Sequence, residues 1–110
     1  MSILGTALPA ANTLATLYEV PTGRRAVVNV AACNKGMTNA KVRVALTASA
    51  NPAESEFIEF DVSLAATEVL ERTALSLATG QKIVVQASAA SVTFNAWGIG
   101  SASENNGVLI

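Results

Sequence analysis

At 110 residues the chain has room for one domain with one core and none for a separate catalytic module. Its 51% hydrophobic and 14% charged residues, against a usual charged share of about 25%, exclude intrinsic disorder. Seven basic and eight acidic residues, a formal charge of -1 and a pI of about 5.3 leave no electrostatic footprint for a phosphate backbone, and the absence of histidine removes the commonest general base and metal ligand together.

The opening Met-Ser-Ile-Leu-Gly-Thr has neither the basic start nor the long apolar run of a secretory signal, and no segment approaches the about 18 apolar residues of a membrane span. A soluble chain made in the cytoplasm, with no membrane partner, is expected. Residues 1–12 carry Ile3, Leu4, Leu8 and Pro9 without alternation and read as an N-terminal arm, either frayed or docked on a neighbouring subunit or an open sheet edge.

Alanine, with 21 residues, ordinarily favours helix, but here it alternates with Val, Thr, Ile and Phe at period two between regularly spaced turn signals. The first expected strand, 13–20, ends at Pro21-Thr22-Gly23-Arg24, which predicts a hairpin into a second strand over 25–34. Cys33 lies in that apolar run; a single cysteine makes no internal disulfide and reads as a small buried hydrophobe. In the third strand, 40–48, Val42, Val44 and Leu46 alternate with Lys41, Arg43 and Thr47, as in a sheet with one wet face. Asn51, Pro52 and Glu54 predict a single helical turn with Asn51 as its cap.

In the strand 56–63, Ile58, Phe60 and Val62 should face inward and Glu59, Asp61 and Ser63 outward. The strand 67–77 slips phase near Arg72-Thr73, which predicts a bend there. Strands 82–88 and 92–100 form the last expected pair, with Val92, Phe94 and Ala96 on one face and Trp97 and Ile99 on the other; Trp97 reads first as a packed core aromatic. Residues 101–110 are a polar tail ending in Val108-Leu109-Ile110. About seven short antiparallel strands without intervening helix bury their apolar faces only against one another, so residues 13–100 are expected to form an all-β sandwich of jelly-roll or immunoglobulin-like order, a barrel being the runner-up.

The chain offers little for catalysis. Glu54, Glu56, Glu59, Asp61, Glu68 and Glu71 are the best carboxylates, but Glu59 and Asp61 sit where solvated rows are common; no zinc spacing, calcium loop or nucleotide fingerprint is present, and no cofactor, metal or nucleic-acid partner is expected. Charge is polarised instead. Arg24, Arg25, Lys35, Lys41 and Arg43 fall together, and six of the eight acids, Glu54, Glu56, Glu59, Asp61, Glu68 and Glu71, fall together between 54 and 71. Either the basic and acidic strands pair within one subunit, or Lys41 and Arg43 meet Glu59 and Asp61 across a subunit boundary. The apolar composition favours a closed homo-oligomer, a trimer foremost, with Ile3, Leu4, Leu8, Val108, Leu109 and Ile110 reaching a neighbour.

Leu17-Tyr18-Glu19-Val20-Pro21-Thr22-Gly23-Arg24-Arg25-Ala26-Val27-Val28-Asn29-Val30, Glu56-Phe57-Ile58-Glu59, Val69-Leu70-Glu71-Arg72-Thr73, Gly80-Gln81-Lys82-Ile83-Val84-Val85 and Trp97-Gly98-Ile99, taken in order, resemble small virion structural proteins of tailed bacteriophages over about residues 13 to 100. The resemblance implies a non-enzymatic particle component. A capsid decoration (cement) protein that binds the major capsid protein and bridges its neighbouring subunits comes first, ahead of a tail, fibre or baseplate module. A carbohydrate- or host-receptor-binding sandwich, with its site in loops such as 49–55, is the competing class, and a small hydrolase using Glu59 or Glu71 a third.

Overall fold

Alternation at period two builds eight strands within residues 2–102, the part of the chain that the computed structural model describes. They are β1 (Ser2–Ala7), β2 (Ala15–Glu19), β3 (Arg24–Asn34), β4 (Ala40–Thr47), β5 (Phe57–Leu64), β6 (Val69–Leu77), β7 (Lys82–Ala87) and β8 (Val92–Ala102). Two four-stranded antiparallel sheets result, in the orders β1-β8-β3-β6 and β2-β7-β4-β5. Every connection but β4–β5 crosses from one sheet to the other. This interleaving is the eight-stranded jelly-roll order; an immunoglobulin order would keep the first two strands side by side in one sheet. The sheets remain separate, so the architecture is a sandwich and not the barrel.

Two expectations change with this topology. The turns at 20–23 and 88–91 are tight, but β2 and β3 lie in different sheets, as do β7 and β8, so neither turn closes a hairpin. Gly23 takes φ 78° and Arg24 N–H donates to Pro21 O at 3.1 Å, a turn that serves a corner between sheets as well as a hairpin. The arm expected over 1–12 also supplies the eighth strand, β1, on the edge beside β8. It lacks alternation because Ile3 pairs with Trp97 and Gly5 with Ala96, leaving Leu4 as a bulged extra residue. A side chain at Gly5 would run into the Leu17 carbonyl of β2, so the two edge strands approach only because it is glycine.

The core lies between the sheets. From one side come Ala26, Val28, Val30, Ala32, Leu75, Leu77, Val92, Phe94 and Ala96; from the other come Leu17, Val42, Val44, Leu64, Ile83, Val85 and Ala87. Small side chains dominate, and Phe94 is the largest fully buried one. Each fully buried Val or Phe contributes about 1.5–3 kcal/mol relative to exposure, so the interior depends on many modest increments.

Bulges reset the alternation in both strands along the open side of the sandwich. In β6, Val30 pairs with Arg72 and Val28 with Leu75, and Ala74 (φ 59°) donates its N–H to Asn29 Oδ1 at 3.0 Å, so the bend expected near Arg72-Thr73 is a bulge. In β5, Val62 pairs with Val42 and Glu59 with Val44, so Phe60 and Asp61 (φ 54°) share the level of Arg43. Phe60 is therefore half-exposed and not inward as its spacing suggested, while Ile58 and Val62 do pack on the core. The helical turn falls two residues later than expected, at Glu54–Glu56, because Glu56 and not Glu54 holds it: Oε1 accepts from Ala53 N–H and from the Thr47 hydroxyl, both at 2.8 Å.

One buried polar residue ties the loops together. Asn34 ends β3 fully buried; its Nδ2 donates to Thr38 O (2.8 Å), Leu64 O (3.0 Å) and Ala65 O (3.3 Å), and its Oδ1 accepts from Gly36 N–H and Ser91 Oγ, both at 3.0 Å. Three loops thus close on a single amide. Asn34 holds the inward phase with Val28, Val30 and Ala32, so Cys33 turns outward and is half-buried, contrary to the core position expected for it.

Candidate functional site

Packing two sheets leaves two outer faces, and their chemistry differs. On the β2-β7-β4-β5 sheet the outward positions include Glu19, Lys41, Arg43, Asp61 and Lys82. Arg43 grips Asp61 with Nε at 2.6 Å from Oδ1 and a second nitrogen 3.3 Å from Oδ2, and its guanidinium lies 4.0 Å over the Phe60 ring, which meets Phe57 edge-to-face at 5.3 Å. Hydrogen bonding to Arg43 holds the Asp61 carboxyl below its ordinary value, against a smaller opposing effect of desolvation, and the same contact raises Arg43. Lys82 pairs with Glu19 at 3.3 Å. Beneath this charged surface Ala45 and Val84 are fully buried on the outer side of their strands.

The outer face of the β1-β8-β3-β6 sheet is nearly free of charge. Register places Ile99 beside Val27 and Ser76 at one level, Ile3 beside Trp97 and Asn29 at the next, Asn95 beside Ala31 and Glu71 beyond that, and Thr93 beside Cys33 and Val69 last. Ile3 is 79% exposed, Ile99 58%, Val69 54% and Val27 48%. Among the described residues its only charged side chains are Arg25 near one end and Glu71 towards the other. Ile3, Val27 and Ile99 protrude around a half-buried indole, with Val69 standing apart near the far end, and form an apolar surface of the kind associated with a covered interface.

Trp97 is accordingly not a core aromatic. Val92, Phe94 and Ala96 take the inward phase of β8 and leave Trp97 on the outer face, half-buried against the sheet. It stands mid-sheet, at the level of Ile3 and Asn29, and away from the 49–55 loop.

The anticipated interface residues separate into several places. Ile3 lies on the apolar face, Leu4 turns inward to the core, and Leu8 is exposed just after β1. Lys41, Arg43 and Asp61 meet on the charged face, where Arg43 and Asp61 pair within the chain. Glu59 instead reaches across the open side, 2.6 Å from Arg72 of β6, and clasps one sheet to the other. Glu71 lies outward on the opposite sheet, so Glu59 and Glu71 do not converge. Val108, Leu109 and Ile110 lie outside the described residues. The apolar positions Val27, Val69 and Ile99 were not singled out from the sequence as interface candidates; the signal for Val27 was the run 27–33, apolar on both phases of one strand.

Among the described residues no group of three or more His, Cys, Asp or Glu side chains gathers where it could hold a metal ion, and no helix is long and apolar enough to cross a membrane. No protein-family model matches the chain, and neither the curated proteins nor the solved structures contain a match to it.

Proposed function

We propose that the protein is a non-enzymatic structural component of a tailed-bacteriophage virion, foremost a capsid decoration protein that binds the capsid surface as a homo-oligomer and bridges neighbouring capsid subunits. The ordered resemblance of residues 13 to 100 supplies the class. The observation that carries the reading is the pair of unlike faces, one charged and one presenting Ile3, Val27, Val69 and Ile99. A small sandwich that hides one face against another chain and offers the other to a polar surface suits many identical weak contacts, which add through multivalency.

Purified protein is mixed with phage particles that lack it, and the particles are imaged. Regular density on the capsid surface is expected. Density confined to the tail, fibre or baseplate would move the protein to that alternative role, and particles left bare on both capsid and tail would refute a virion role.

A further inference from the structure

The apolar outer face has an area, a charge arrangement and a register that together select an occupant. We propose that a second copy of this chain covers it, the two β1-β8-β3-β6 sheets stacking face to face about a two-fold axis. This rests on the reading above that the face is covered in the assembled state, and it replaces the trimer expected from composition with a pair.

Area comes first. Four strands spaced about 4.8 Å apart and up to 11 residues long, at about 3.3 Å per residue, present roughly 600 Å². Stacking about the two-fold axis overlaps β3 and β8 along most of their length but β6 and β1 only in part and leaves Val69 at the margin, so the pair hides roughly 800 Å² in all, the size of a weak, transient contact. Pairing at that size is expected to be weak and concentration-dependent.

Charge is the second argument. A two-fold axis crossing the strands between the Val27 and Asn29 levels carries Arg25 of each copy to the level of the second copy's Ala31, beside its Glu71. The face's two charges are thereby matched with opposite ones, and no like pair is brought together. The same axis sets Ile99 of each copy over the second copy's Trp97, an aliphatic group on an indole. A shallow depression of about 160 Å³ lined by Arg25, Val27, Ser76 and Ile99 lies at this level and gives the contact relief. The opposite face has five charged outward positions and a buried-over Ala45 and Val84, and offers no comparable apolar area. In the pair the two charged faces point away from each other and stay free for other contacts.

The test is sedimentation equilibrium of the full chain up to about 100 μM. A concentration-dependent species of twice the 11.2 kDa chain mass is expected. Ile99→Asp with Val27→Asp should weaken pairing by roughly 30-fold or more, with an unchanged β-type circular dichroism spectrum, whereas Lys41→Asp on the other face should leave it intact. Arg25→Glu and Glu71→Arg should each weaken pairing, and the two together should restore it. A wild-type chain that stays monomeric overturns the proposal, as does dimerisation insensitive to both Asp substitutions. Deleting residues 103–110 should leave the dimer in place; a dimer that appears only after that deletion would make the tail the natural occupant and refute the pairing. Binding to phage particles separates the two readings. Dimer without particle binding sinks the virion role alone, and particle binding by a monomer that the Asp substitutions abolish sinks the pairing alone.

Discussion

Replacing Asn34 by alanine should cost more than any other single polar substitution in the described chain. The amide donates to Thr38, Leu64 and Ala65 carbonyls and accepts from Gly36 N–H and Ser91 Oγ, all within 3.3 Å, with no exposed surface. Each net hydrogen bond is worth about 1 kcal/mol, and a buried group left without a partner costs about 1–3 kcal/mol more. Asn34→Ala should therefore lose about 3–5 kcal/mol, a large fraction of the roughly 5–15 kcal/mol available to a domain. Urea unfolding followed by Trp97 fluorescence reads this as a lower midpoint with unchanged slope. Asn34→Asp sharpens the test. It keeps the acceptor for Gly36 and Ser91 but turns a carboxylate towards the Leu64 and Thr38 carbonyls, so burial raises its folded pKa and its stability should fall as pH rises through the carboxylate range. Asn29→Ala, which removes one exposed hydrogen bond to Ala74, is the control at about 1 kcal/mol or less. An Asn34→Ala loss no larger than that of the control would refute the claim that three loops depend on this amide.

Three further outcomes follow from the same geometry. Thr67, β-branched at φ 67°, pays left-handed strain, so Thr67→Gly should stabilise by about 0.5–1 kcal/mol in urea melts, because relief of strain exceeds the entropy cost of glycine. Gly98→Ala would drive a methyl into the Val27 carbonyl and should destabilise by about 2 kcal/mol or more in the same assay. Asp61, held below its ordinary value by Arg43, contributes stability that is present above about pH 4 and is lost as pH falls through the lowered folded value. The wild-type advantage over Asp61→Asn, measured by denaturation across pH, should be level from about pH 5 to 8, vanish in acid and shrink in high salt; an advantage that persists in strong acid would contradict the ion pair.

The strands themselves were legible because alternation is local: Val42-Arg43-Val44 declares its faces without reference to any other part of the chain. The bulge near Arg72 was legible for the same reason, as a break in phase. Where apolar residues fill both phases, as over 27–33, the sequence is silent on which side is core, and the inward turn of Asn34 with the outward turns of Cys33, Trp97 and Ile99 was decided by what packed against them.

Sequence alone thus determined an all-β sandwich and the positions of seven of its eight strands, since side-chain periodicity and turn chemistry are properties of neighbouring residues. The tertiary structure alone decided that tight turns join different sheets, that residues 2–7 complete one of them, that Asp61 and Glu59 bind Arg43 and Arg72, and that apolar and charged surfaces lie on opposite faces. Each of these is a relation between distant segments, and such relations are set by which pairing buries the most apolar surface while leaving the fewest backbone groups unpaired.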